Sequence, residues 1–151
     1  MPTVISSMHD WLLEQGVSYS FGGGDGVVRS YGSAGSVTAQ APVSLQVDVG
    51  SVGLWITNRW YTAPAGETGA GEIAEPSTGV APALRRIDLV VWTAGAGITV
   101  VTGVEGDVPV APATPASSVV LAHVYCRKDM VSIKDADDAS NGYIVDARDY
   151  F

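Results

Sequence analysis

Positive charge is scarce in this sequence. Lysine occurs only twice among the 151 residues, and 8 Lys and Arg stand against 16 Asp and Glu, which gives a formal net charge of −8. A protein that binds nucleic acid independently of its sequence requires clustered Lys or Arg. The pair Arg85-Arg86 is too small to form such a cluster. The composition therefore excludes a nucleic-acid partner. It indicates an acidic surface, which either serves solubility or faces a basic partner.

Cysteine and long apolar runs are also nearly missing. Cys126 is the only cysteine, so no intrachain disulfide can form, and its alternating apolar neighbours predict a buried, inert thiol. No run of apolar residues is long enough to span a membrane as a helix. The N-terminus lacks the basic, apolar and small-residue succession of a signal peptide, so we expect neither a signal peptide nor a membrane partner.

Glycine, proline and β-branched residues dominate instead. The 18 glycines and 8 prolines indicate frequent chain reversals, and the Val, Ile and Thr content favours strands. An apolar share of 46% is enough for the core of one domain. The spacing of turn signals predicts an all-β domain over residues 17–151, a β-sandwich or jelly-roll-like barrel of about eight short antiparallel strands.

The first 16 residues are predicted to form a separate element. A serine can cap a short helix that Gly16 ends, and Met8, Trp11 and Leu12 fall on one face of it. A single short helix cannot bury such a face by itself. Residues 1–16 are therefore predicted to be an anchor arm that contacts a partner through these three side chains.

Three segments carry strand or extended patterns. Residues 43–49 alternate apolar and polar side chains, which predicts one half-buried antiparallel strand. Residues 87–92 are apolar on both faces, which predicts a central strand, and residues 98–101 return as its partner. Proline then recurs at every third position from residue 109 to residue 115, which favours an extended, polyproline-like segment.

The connection over residues 63–83 is too long for an idle linker in a compact domain. Glu67, Glu72 and Glu75 make it acidic. We therefore predict a surface or intersubunit loop whose glutamates contact a partner.

Aromatic residues cluster just before this connection. Trp55 and the pair Trp60-Tyr61 lie on either side of Thr57-Asn58-Arg59, an arrangement typical of a tight hairpin or a bulged strand. Tryptophans this close together pack the edge of a core or an interface. Alternatively, Trp55, Trp60 and Tyr61 form an aromatic platform for a glycan.

Residues typical of catalysis or metal binding are few. His9 and His123 are far apart, and neither has a second ligand at a metal-binding spacing. No G-x-S-x-G motif occurs. Asp88, inside an apolar strand beside an arginine pair, is predicted to form a structural ion pair. Residues 135–142 allow a Ca²⁺ loop or an acidic solvated loop, although their pattern departs from the EF-hand. We expect no enzyme activity, no catalytic residue, no metal and no cofactor.

Five short motifs follow one another over residues 86–148. They are Arg86-Ile87-Asp88-Leu89-Val90-Val91, Val101-Thr102-Gly103, Pro109-Val110-Ala111-Pro112-Ala113 with Pro115, Val120-Leu121-Ala122-His123-Val124, and Ile144-Val145-Asp146-Ala147-Arg148. This succession resembles a module of tailed-phage virion proteins, namely baseplate, tail-fibre attachment and capsid-decoration proteins. The resemblance implies an all-β, non-enzymatic and usually homotrimeric virion protein.

In fibres this module tends to precede a shaft or a receptor-binding head, whereas here the sequence ends at Phe151, shortly after the last motif. We therefore expect a capsid decoration, or cement, protein. It would sit on the outer capsid surface, stabilise it and contact the major capsid protein or another virion protein. The alternative is a baseplate, tail-tip or tail-fibre protein that binds a host glycan receptor.

Overall fold

Eleven β-strands and no helix make up the part of the chain that the structure describes, residues 25–77 and 85–150 of a computed structural model. The all-β prediction is confirmed. The predicted N-terminal helix, with Met8, Trp11 and Leu12, lies outside the described residues, as does His9. In chain order the strands are β1 (Gly26–Val27), β2 (Val37–Ala39), β3 (Val47–Val49), β4 (Val52–Ile56), β5 (Arg59–Ala63), β6 (Gly66–Glu67), β7 (Arg85–Thr93), β8 (Gly97–Val101), β9 (Ser118–Arg127), β10 (Ile133–Lys134) and β11 (Gly142–Asp146).

The largest sheet has five strands in the order β10-β11-β9-β7-β8, and all neighbours are antiparallel except β10 and β11. The predicted central strand is confirmed, because β7 lies between β9 and β8. Both faces of β7 are buried over residues 86–92, which explains why its sequence does not alternate. A bulge in β9 at Leu121, which is unpaired, shifts the register with β7 between Val90 and Val91.

Two smaller sheets have three strands each, in the orders β1-β4-β5 and β2-β3-β6. The hairpin of β4 and β5 confirms the prediction made from its aromatic flanks. Thr57 and Asn58 form its turn, and both have a positive φ, of 48° and 60°. Two successive left-handed residues are typical of a type I′ turn, whose twist matches that of the paired strands.

The predicted single strand over residues 43–49 is wrong in extent. Only β3 is a strand there, and Val43 is 60% exposed. Ser44 explains the difference, because its hydroxyl accepts the N–H of Gln46 at 3.0 Å and donates to the Gln40 side chain at 2.8 Å. These local bonds take the place of a strand ladder. The alternation of apolar residues therefore continues beyond the strand itself.

Side chains from all three sheets meet in one core. Leu54 of β4, Val47 of β3, and Val90 and Leu121 of the large sheet all belong to it and are fully buried. Ile73, from the connection between β6 and β7, joins them at 1% exposure. The long acidic connection thus contributes to the core as well as to the surface.

Candidate partner-binding surface

A buried ion pair lies at the start of β7. Arg86 and Asp88 are two residues apart and therefore share one face of the strand. Nε and Nη2 of Arg86 donate to the two carboxylate oxygens of Asp88 at 2.7 and 2.9 Å. Asp88 is fully buried and Arg86 is 6% exposed. The predicted structural ion pair is confirmed, and its bidentate geometry is the strongest form of such a contact.

The same carboxylate holds two more groups. Oδ1 of Asp88 accepts the N–H of Gly103 at 2.9 Å, and Sγ of Cys126 lies 3.6 Å from Oδ2. Burial, reinforced by the charge of Asp88, raises the pKa of Cys126 to about 12, which disfavours the reactive thiolate. The prediction that Cys126 is buried is confirmed. Every contact of Asp88 named here is internal, so this cluster serves the architecture of the domain.

Arg86 and Glu105 fasten the long acidic loop to β7. Nη2 of Arg86 donates to the carbonyl of Ala74 at 2.7 Å, and Nη1 donates to Glu105 at 3.3 Å. The Glu105 carboxylate also accepts the N–H and the hydroxyl of Ser77, both at 2.8 Å. The bonds from Ser77, followed by the charge of Arg86, lower the pKa of Glu105. The loop is therefore held in a defined position at Ala74 and Ser77.

This contact predicts a local response to acid. A lowered carboxyl pKa means that Glu105 stabilises the fold above its unfolded pKa of about 4.3, and that this contribution is lost as the pH falls through the lower folded pKa. We expect the amide resonance of Ser77 to titrate with that lowered pKa in NMR spectra. Glu105→Gln abolishes this titration, whereas the control Glu67→Gln leaves it intact. Titration of Ser77 at about pH 4.3 would contradict the assigned contact.

Of the glutamates predicted to contact a partner, Glu67 lies opposite Asp48 across β6 and β3. Like charges in this position are unfavourable, and Gln40 bridges them, since its Nε2 donates to Glu67 and, at 3.3 Å, to Asp48. Together with Ser36 and Thr38 the two carboxylates line an open groove of about 530 Å³. This surface is acidic, as the sequence predicts for the loop.

The other two glutamates are also exposed, and each has its own neighbour. Glu72 accepts the N–H of Gly69 at 2.6 Å, within its own turn. Glu75 accepts the N–H of Asp129 at 3.0 Å and lies 4.0 Å from Nζ of Lys128. Both side chains therefore help to fix the loop. Contact of these three glutamates with a partner stays a prediction.

The aromatic residues of the hairpin do not form one open face. Trp55 is 4% exposed and pairs across the strands with Trp60, whereas the neighbouring Tyr61 packs on Trp92 with ring centroids 5.3 Å apart. Trp60 meets Tyr31 edge-on, with centroids 5.8 Å apart. Successive residues of a strand point to opposite faces. Trp60 and Tyr31 thus form a partly accessible aromatic pair on the opposite face of the strand from Tyr61.

Three exposed valines lie on the connection between β8 and β9, and the motifs identified in the sequence include only one of them, Val110. Val104, Val108 and Val110 are 80, 85 and 74% exposed. Hydrogen bonds fasten the connection at both ends: the backbones of Arg85 and Gly106 exchange two, and the N–H of Ala94 donates to the carbonyl of Ser117 at 2.9 Å. The one available signal in the sequence is that residues 108–126 contain no Asp, Glu, Lys or Arg, and this signal covers Val108 and Val110 but not Val104.

The acidic loop over residues 135–142 uses its carboxylates internally. Asp137 forms a bidentate pair with Arg127, with N–O distances of 2.7 and 2.8 Å. Asp138 accepts the N–H groups of Ser140 and Asn141, and bonds from Asn141 above all lower its pKa to about 2. Among the described residues, no group of three or more His, Cys, Asp or Glu is placed to hold a metal ion.

Comparison with known proteins adds no relative. No protein-family model, no curated protein and no solved structure matches this chain. In the described part of the chain, no helix has the length and apolar character needed to cross a membrane.

Proposed function

We propose that this protein is a non-enzymatic structural protein of a tailed-phage virion, a decoration or cement protein that binds the outer surface of the capsid. The observation that carries the proposal is the exposure of Val104, Val108 and Val110 on one connection that hydrogen bonds hold at both ends. Exposed apolar side chains on an ordered segment are typical of a surface that binds a partner. The finer architecture belongs to the same proposal: the sheets pack as a jelly-roll-like sandwich.

The motifs that resemble virion proteins coincide with architectural features of the domain. Arg86 and Asp88 of the first motif form the buried ion pair, and Gly103 of the second donates to it. The proline motif contains Val110, one of the three exposed valines. The motif residues therefore hold the connection between β8 and β9 in place and form part of its exposed surface.

Burial of the valines against capsid protein is the proposed mechanism. Complete burial of one valine stabilises a complex by about 1.5 kcal/mol or more, so three contribute on the order of 5 kcal/mol before the entropic cost of association. The net charge of −8 favours a capsid surface with basic residues around the apolar contact. The acidic groove beside Glu67 is a second surface suited to such residues.

The double variant Val108→Asp/Val110→Asp is expected to lose most of its capsid occupancy, because each carboxylate would have to be desolvated in the contact. Occupancy is measured by cryo-electron microscopy of virions that carry the variant. The control is Val43→Asp/Val131→Asp, which adds the same charge at valines that are 60 and 80% exposed elsewhere. Full occupancy of the first variant, or equal loss in both, would contradict the proposed contact.

The alternative is a tail-tip or baseplate protein that binds a glycan, and the accessible Trp60–Tyr31 pair favours it. An aromatic ring of this kind can stack on the apolar face of a sugar. Loss of cell-surface or glycan-array binding in Trp60→Ala, together with a tail location in virion micrographs, would support this function over capsid decoration.

A further inference from the structure

Among the described residues, one side of the large sheet ends in an edge that no other strand pairs with. β8 is its outermost strand, and within residues 25–77 and 85–150 no backbone pairs with its far side. In an edge strand, alternate N–H and C=O groups point away from the sheet. Over its five residues, from Gly97 to Val101, β8 therefore offers backbone donors and acceptors to another strand.

The two edges of this sheet are built differently. The opposite edge, β10, has only two residues, contains Lys134 and is followed by Asp135, and these are features that protect an edge from pairing. β8 has none of them: residues 89–104 contain no charged residue and no proline. The register between β7 and β8 is continuous, so no bulge interrupts this edge. An unprotected edge of this kind serves as a pairing surface.

We propose that β8 pairs antiparallel with β8 of a second copy of this chain. Two copies that each carry a charge of −8 repel one another, and an edge free of charge is where they can meet at the lowest electrostatic cost. Antiparallel pairing about Thr99 places Ile98 of each copy opposite Val100 of the other. Such a contact is isologous and therefore closes at two copies, joining two five-stranded sheets into one.

This inference is independent of the proposed capsid function, because it concerns contact between two copies of the free protein. It also differs from the trimer that the resemblance implies, since three copies require a heterologous contact. The number of copies in the oligomer therefore distinguishes the proposed dimer from the trimer that the resemblance implies.

The test is sedimentation of the full chain over a range of concentrations, with Thr99→Lys as the variant. Paired β8 strands would place the two lysines directly opposite each other, and we expect dimerisation to weaken by roughly tenfold. The matched control is Thr62→Lys on β5, an edge strand of a smaller sheet that already carries Arg59. Circular dichroism checks that both variants fold.

A second measurement needs no variant. Hydrogen exchange at the outward amides of β8 is expected to slow as the concentration of the unmodified protein rises. The proposal is supported if Thr99→Lys weakens the dimer, Thr62→Lys does not, and hydrogen exchange at β8 slows with concentration. A monomer at all concentrations, a trimer, a dimer insensitive to Thr99→Lys, or equal losses in both variants would overturn it.

Discussion

Asp88→Ala is expected to lower the free energy of unfolding by about 3–5 kcal/mol, the largest loss that we expect from a single polar side chain in this protein. The substitution leaves the Arg86 guanidinium buried, at 6% exposure, without its bidentate partner. It also removes the acceptor of the Gly103 N–H. Urea-induced unfolding followed by tryptophan fluorescence measures the loss.

Asp146→Ala is the matched control for this variant. Asp146 also forms a bidentate pair two residues along the chain, with Arg148, but its side chain is 53% exposed. An ion pair whose carboxylate is exposed to solvent contributes about 0–1 kcal/mol, because water screens the charge of that carboxylate. Losses of similar size in the two variants would show that burial of Arg86 and Asp88 has no special energetic consequence, against our expectation.

Gly103→Ala is expected to lower the free energy of unfolding by about 3 kcal/mol, at the upper end for an overpacked site. A Cβ at this position would lie 2.1 Å from the carbonyl oxygen of Ile87, which is backbone of the central strand and cannot rotate away. Relief of the clash would move the Gly103 N–H from Asp88 and open the buried cluster. Thermal unfolding by calorimetry measures the change.

Gly106→Ala is the control, on the same segment and three residues further along. No atom lies within 4 Å of the position that its Cβ would occupy, and we expect a change within about 0.5 kcal/mol. If Gly103→Ala proves equally mild, the segment after β8 has more freedom than its hydrogen bonds to β7 imply.

Structural elements that depend on residues close together in the sequence were predicted well. The apolar run of β7 indicated a strand covered on both faces, because only such a strand needs no polar side. The turn at Thr57 and Asn58 was anticipated from its flanks. The strand over residues 43–49 failed because a serine at residue 44 offers the backbone a local alternative that apolar alternation does not register.

The candidate surface was only partly foreseen. The acidic loop and its glutamates were identified from length and charge, whereas the exposure of Val108 and Val110 was not, because apolar residues are expected to be buried. Their exposure depends on how Gly106 and Ser117 fasten the connection, which sequence spacing does not encode. That β8 is an edge strand in the described part of the chain likewise becomes evident only from the order of the strands in the sheet.

The sequence by itself determined the strand class, the acidic net charge, and the pairing tendency of an aspartate buried beside arginines. These depend on composition and on contacts a few residues apart. The tertiary structure decided which groups complete the Asp88 cluster, namely Gly103 and Cys126, and which apolar residues remain outside the core. Such contacts join distant parts of the chain, so they follow from the order of the strands in the sheet and not from local preference.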